Sequence, residues 1–199
     1  MKTIVACLGL VSLLLFNQGV LLAKTTDTVQ KKIVMIVAQQ GFRDEELLTP
    51  LEMFRANGFG VTVASSSLDL AVGMLGTKIV PDVLFYDVDV KNYDAVVFVG
   101  GAGASVFWND PSALQIAKQA CADGKIVAAI CIAPVTLANA GILKGKKATC
   151  WSTNNQDIMK GGATYTGKAV QIDGMIVTAN GPEAAKMFAE EVIKLLNRQ

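Results

Sequence analysis

Cys131 stands at the end of a run, Lys125 to Ile130, long enough for a buried strand. Pro134 follows three residues later, and Val135 to Ile142 reads as a helix. Proline is tolerated in a first helical turn, so the chain is expected to pass from strand to helix in about three residues. A thiol at that corner is expected to be exposed at the end of the sheet. The partial positive charge of the helix N-terminus would favour thiolate and lower the cysteine pKa. The same geometry serves a nucleophile elbow, in which the backbone N–H after the nucleophile helps hold an oxyanion. A buried structural cysteine is the alternative, since free Cys is among the most buried residue types. The local sequence leaves both open.

Two further pieces bear groups of use to such a thiol. Glu46 follows Asp44 and Glu45 at the start of a predicted helix, where it is either a capping acid or a functional carboxyl. Gly100-Gly101 either makes a tight turn or lets backbone N–H groups approach a ligand as oxyanion donors must. Gly101-Ala-Gly103 does not complete a dinucleotide fingerprint, because Val106 stands where the third glycine should be.

The elements that must position these groups alternate between strand and helix. Lys32 to Ala38 reads as a buried strand, Gln39 to Arg43 as a loop, and Asp44 to about Ala56 as a helix stopped by Asn57-Gly58. Val61 to Ala64 is a second strand, and Leu70 to Val88 holds short β pieces. Asp94 to Val99 is a central strand, and Asp110-Pro111 caps a helix through Ala122. Ala148 to Trp151 reads as a short strand and Asn154 to Lys160 as a helical turn. Ala169 to Ile172 and Met175 to Ala179 flank Asp173-Gly174 as a hairpin, and Gly181-Pro182 opens an amphipathic helix to Asn197. This alternation predicts one α/β domain over 31–199 with a mostly parallel sheet. Ligands of such sheets gather outside the carboxyl ends of the strands, where Gln39 to Glu46, Gly100-Gly101 and Cys131 all fall.

Composition narrows the chemistry. The 199 residues are 52% hydrophobic, enough for a full core, and part of the excess lies in Ile4 to Phe16 behind Lys2. Residues 1–23 read as a secretory signal peptide with cleavage after Ala23, and hence an exported protein, periplasmic or secreted. An uncleaved anchor is the alternative, and only then would a membrane be a partner. Without Lys2 the basic residues equal the 17 acidic ones, and a neutral domain with no basic run argues against nucleic acid. Cys121, Cys131 and Cys150 then remain, an odd number with no CxxC pair to suggest zinc. The chain has no histidine, which removes Cys-His and Ser-His pairs and the commonest metal ligand. No metal or organic cofactor is expected.

Glu46-Leu-Leu-Thr-Pro50, Asp94-Ala-Val-Val-Phe-Val-Gly-Gly101, Ala128-Ala-Ile-Cys-Ile-Ala-Pro134, Leu143-Lys-Gly-Lys-Lys-Ala148 and Gly181-Pro182 together resemble the DJ-1/PfpI family. The resemblance runs from Lys31 almost to the C-terminus. It implies a flavodoxin-like three-layer sandwich with helices on both faces, and a homodimer. It also implies a reactive thiol at Cys131, a partner carboxyl at Glu46 and an oxyanion donor at Gly101, with the Cys131 and Ile132 amides completing the hole. Members that resemble proteases carry a histidine where this chain has Ile132, and DJ-1-like members carry one near Cys150 and Trp151. Peptide hydrolysis needs a group to return a proton to the leaving amine, so protease or amidase activity is not expected.

Around the cysteine, Gly100, Trp151 and Cys150 are candidate pocket residues. Trp151 and Trp108 could equally serve packing or an interface. Cys150 is a neighbour of Cys131, a resolving thiol or a buried strand residue, and Cys121 falls on an apolar helix face and reads as core. Two functions fit this reading. One is glyoxalase- or deglycase-like chemistry on a small carbonyl substrate, with Cys131 adding to the aldehyde and Glu46 shuttling the proton. The other is a redox sensor or stress-protective protein whose Cys131 meets an oxidant.

Overall fold

The computed structural model describes residues 30–199, so the N-terminal segment read as a signal peptide lies outside the described residues. The twelve strands are β1 (Lys32–Ile36), β2 (Gln40–Phe42), β3 (Gly60–Ser65), β4 (Ala71–Gly73), β5 (Lys78–Ile79), β6 (Val83–Leu84), β7 (Ala95–Phe98), β8 (Ile126–Ile130), β9 (Lys147–Ala148), β10 (Thr164–Tyr165), β11 (Val170–Asp173) and β12 (Ile176–Ala179). The helices are α1 (Asp44–Ala56), α2 (Pro111–Ala122), α3 (Pro134–Asn139), α4 (Asn155–Lys160) and α5 (Ala185–Leu196).

Seven strands form the main sheet in the order β11-β12-β8-β7-β1-β3-β6. All its pairings are parallel except β11 with β12, the hairpin around Gly174. From β1 the chain steps outward through β3 and β6, then returns to β7 on the other flank of β1. The reversal opens a crevice at the carboxyl ends of β1, β7 and β8.

Strand alternation explains why both faces of the sheet are covered. Ile33, Met35 and Val37 point into one core with Leu47, Leu51 and Phe54 of α1 and Phe188, Ala189 and Val192 of α5. Val34, Ile36 and Ala38 point into the other with Ala113, Ile116 and Ala117 of α2 and Leu137 of α3. Because both faces are buried, β1 reads as a continuous apolar run. The result is the expected three-layer sandwich.

Several expectations are corrected. Gln40–Phe42, expected as loop, is a strand, because it pairs with β4, which itself pairs with β5 in a small separate sheet. That pairing partner is remote in sequence, and three residues carry no period. The helix after Cys131 ends at Asn139 rather than Ile142, where Gly141 turns the chain with φ +78°. β9 stops at Ala148 rather than Trp151: the Thr149 N–H turns to the Thr178 hydroxyl at 2.9 Å and the Trp151 N–H to the Cys131 carbonyl at 2.7 Å. The final helix begins at Ala185, after a 3-10 turn over Pro182–Ala184. Cys121 is exposed rather than core; the buried face of α2 is Ala113, Ile116, Ala117 and Ala120. No helix of the described residues is long and apolar enough to cross a membrane.

Candidate active site

Cys131 begins the three-residue corner between β8 and α3 with φ +64°, the one non-glycine residue of positive φ among those described. Left-handed backbone costs an ordinary residue free energy and persists only where the surroundings impose it. Here the clamp is visible. The Cys131 N–H donates to the Ala179 carbonyl at 2.9 Å, and its carbonyl accepts from Trp151. The expectation that the Cys131 amide helps form an oxyanion hole is therefore corrected, since β12 already holds it.

Gly101 and Ile132 differ. Neither N–H has a backbone acceptor among the described residues, and both lie close enough to the Cys131 thiol to favour its thiolate without forming a hydrogen bond of full geometry. Gly101 must be glycine on two counts: its φ is +96°, and a β-carbon would fall 2.5 Å from the Gly41 carbonyl oxygen. The loop after β7 is thus seated against the loop before α1, where the Arg43 N–H donates to the Gly100 carbonyl at 3.0 Å.

Glu46 is the third residue of α1, and it is fully buried rather than a solvated cap. Neither carboxyl oxygen has a partner at full hydrogen-bond geometry, although the Cys131 thiol and the Gly100 N–H approach closely enough to act on it. A β-carbon on Gly100 would lie 2.5 Å from Cys131 Cβ and closer still to Glu46 Oε2. Both side chains therefore converge on the space that the glycine leaves.

Burial is the largest influence on each group. It pushes the Glu46 carboxyl up to about 7, against the nearby thiol and Arg43, which pull it down. Burial, and then the Glu46 carboxylate, push the Cys131 thiol up to about 12, against the Gly101 and Ile132 amides. The exposed corner that was expected is corrected: Cys131 is 8% exposed, and its burial works against the thiolate rather than for it. The first acceptor for the thiol proton is Glu46.

The thiol opens onto a cavity of about 250 Å³ whose walls include Arg43, Met74, Ala102, Trp151 and Pro182. Trp151 is a wall, as expected, and 44% exposed. Trp108 is not. It packs against the second core and donates its indole N–H to the Ile132 carbonyl at 3.2 Å. Cys150 also lies in the second core, fully buried, with its thiol donating to the Trp151 carbonyl at 3.3 Å. All three described cysteines are free. Gly100 meets Cys131 and Glu46 as described, so the structure brings together Cys131, Glu46, Gly100, Gly101, Ile132 and Trp151, while Cys150 lines a neighbouring cavity that shares Trp151 and Pro182 with this one.

Sequence reasoning missed Arg43, Met74 and Asp44. Asp44 anchors the β4–β5 hairpin by accepting from the Leu75 and Thr77 N–H groups, each at 2.8 Å. That hairpin carries Met74 over the cavity, where its sulfur accepts from the Ala102 N–H at 3.4 Å. The run of acids at 44–46 was the available signal, but it does not distinguish which of them turn inward.

Known proteins bear the same arrangement of chain. A model of the DJ-1/PfpI family matches residues 31–195. A deglycase of Thermococcus kodakarensis is 35% identical over 163 residues, 82% of this chain and 98% of its own. A glutathione-independent glyoxalase of Caenorhabditis elegans is 28% identical over 84% of this chain and 89% of its own. The crystal structure of a ThiJ/PfpI domain protein from Brachyspira murdochii superposes with a TM-score of 0.84 at 37% identity, covering 85% of this chain and 98% of that one. On this family match, and on the agreement in sequence and fold along almost the whole described chain, the protein belongs to the DJ-1/PfpI family.

Proposed function

We propose that the protein is a cofactor-independent enzyme that uses Cys131 on small reactive aldehydes, in the manner of a glyoxalase or deglycase. The observation that carries this reading is a buried, unpartnered carboxyl set against a thiol on the floor of a cavity. In the first step a bond forms between the Cys131 sulfur and the aldehyde carbon while the thiol proton passes to Glu46. The oxygen, now an alkoxide, is held by the Gly101 and Ile132 N–H groups, and Glu46 returns the proton to it. Aldehyde and thiol become a hemithioacetal with no atom or electron unaccounted for. A carboxyl with a pKa of about 7 has the strength that a base working near neutrality requires. The names borne by the deglycase and glyoxalase relatives support the same class of substrate.

The test is turnover of methylglyoxal by the wild type beside Cys131→Ala and Glu46→Gln. Loss of turnover in both variants is the expected result; equal rates in all three would sink the reading.

A second reading draws on the same carboxyl. Once protonated, Glu46 can donate to an oxygen on the sulfur, stabilising a sulfenic or sulfinic acid formed by peroxide. Mass spectrometry after mild peroxide distinguishes a sensor, with oxidation concentrated at Cys131, from oxidation spread over exposed Cys121 as well. Export, read from residues 1–23 alone, is also a proposal, and cell fractionation checks it.

A further inference from the structure

We infer that Trp108 is a positioning residue, whose indole N–H reaches out of the second core to aim the Ile132 N–H at the Cys131 thiol. The inference rests on the thiol chemistry proposed for Cys131 and adds a residue that never meets the substrate. Trp108 packs half-buried against the second core, whereas Cys131 belongs to the first and Ile132 packs against it. The one polar atom of its side chain nonetheless meets the corner, donating to the Ile132 carbonyl at 3.2 Å.

Peptide planarity gives that contact its effect. The Ile132 N–H lies in the same rigid plane as the Cys131 carbonyl, so holding one directs the other. Trp151 holds that carbonyl through its N–H at 2.7 Å, and Trp108 holds the next one along. With the planes on both sides of Ile132 fixed, neither of its backbone dihedrals turns freely, and its N–H keeps one direction. The bond from Trp151 also polarises the shared peptide and makes the Ile132 N–H a stronger donor.

The indole is itself held. Trp108 closes the 3-10 segment Ala102–Phe107, and Asn139 at the end of α3 donates to the Trp108 carbonyl at 2.8 Å. The segment starts from Gly101, the other donor. It is tied internally by the Ala104 N–H to the Gly101 carbonyl at 3.0 Å and the Trp108 N–H to the Ser105 carbonyl at 3.2 Å. One loop thus sets both donors, Gly101 directly at its start and Ile132 through the indole at its end.

Phenylalanine at position 108 would keep an aromatic ring and delete the N–H. The Ile132 carbonyl would retain the Val135 N–H at 3.2 Å, so it is not orphaned and the fold should survive. Losing an oxyanion donor outright costs at least about a hundredfold in kcat, and a donor merely loosened should cost about tenfold.

The experiment reads Trp108→Phe, Asn139→Ala and Leu114→Ala beside the wild type, by methylglyoxal turnover and by iodoacetamide alkylation of Cys131 as a function of pH. Leu114→Ala thins the same core and breaks no hydrogen bond. For Trp108→Phe, kcat should fall about tenfold with KM unchanged. Its alkylation plateau should fall about threefold, the scale of one hydrogen bond, with the midpoint still near 7. Asn139→Ala, an exposed change that frees the loop, should move both in the same direction by less, and decides alone if Trp108→Phe does not fold. Leu114→Ala should move neither. A core loosened enough to admit water to Glu46 would instead draw the midpoint down toward 4.5. That displacement in Trp108→Phe, an unchanged kcat and plateau, or equal losses in Leu114→Ala overturns the positioning role. A wild type without Cys131-dependent turnover, whose plateau Trp108→Phe still lowers, overturns the enzymatic reading and leaves the positioning role standing.

Discussion

The Asp44 carboxylate occupies the space that a β-carbon on Gly73 would take, with each of its oxygens 2.6 Å from that position. The start of α1 thereby grips the hairpin that roofs the cavity at Cys131, two residues before the same helix presents Glu46 to the thiol. Burial works to raise the Asp44 pKa, but the hydrogen bonds from Thr77 and Leu75 prevail and lower it.

Replacing Asp44 should loosen that roof. Asp44→Ala leaves the Leu75 and Thr77 N–H groups without their acceptor and is expected to cost about 2 kcal/mol of stability, measurable by urea unfolding. KM for an aldehyde should rise more than kcat falls, because Met74 loses its position while Cys131 and Glu46 keep theirs. The sign with pH follows from the lowered pKa. The Asp44 contribution is present above 3.8 and is lost as pH falls through the folded-state value below it.

Activity should follow the ionisation of Glu46. With the carboxyl titrating at about 7 and the thiol held up to about 12, kcat/KM for methylglyoxal is expected to climb as pH rises through 7 and then level off. The two groups share their protons, so the measured midpoint belongs to the pair. Iodoacetamide alkylation of Cys131 should trace the same curve. A rate already flat from pH 5 upward would mean a preformed thiolate and would refute base activation by Glu46.

The carboxyl proposed as the base also weakens the fold. Its folded-state pKa is raised from 4.5 to about 7, so its stabilising contribution is complete below 4.5 and is lost as pH rises to 7. The shift corresponds to about 3 kcal/mol. The chain has no histidine to mask that window. Thermal unfolding of the wild type should therefore decline between pH 5 and 8 relative to Glu46→Gln, with the variant more stable at pH 8 and inactive.

The contrast shows which parts of the site were legible in the sequence. The corner at Cys131, the helix beginning at Asp44 and the glycine pair are local signals, written in Pro134, in the acids of a first turn and in Gly100-Gly101. Their meeting at one end of the sheet followed from strand–helix alternation. What the sequence could not carry was depth. The expectation of an acidic thiol assumed an exposed corner, whereas the close approach of α1 and the β7 loop buries both groups, and desolvation then outweighs the local dipole. The pairing of Gln40–Phe42 with β4 and the turning of Asp44 toward Gly73 depend on residues some thirty positions away, beyond the reach of any local period.

The left-handed backbone at Cys131 supplies a test that separates strain from chemistry. Cys131→Ala and Cys131→Gly both remove the thiol, and both should abolish turnover. They differ in one respect: alanine must still adopt φ +64°, and glycine does so without a β-carbon. Glycine gives back part of the gain through the greater freedom of its unfolded chain. Steric relief in the left-handed region is worth about 1–2 kcal/mol, so Cys131→Gly is expected to be the more stable of the two by up to about 1 kcal/mol. Equal stabilities, or a more stable alanine variant, would mean that the clamp by Ala179 and Trp151 relaxes once the sulfur is gone. The strained corner would then depend on the thiol rather than hold it.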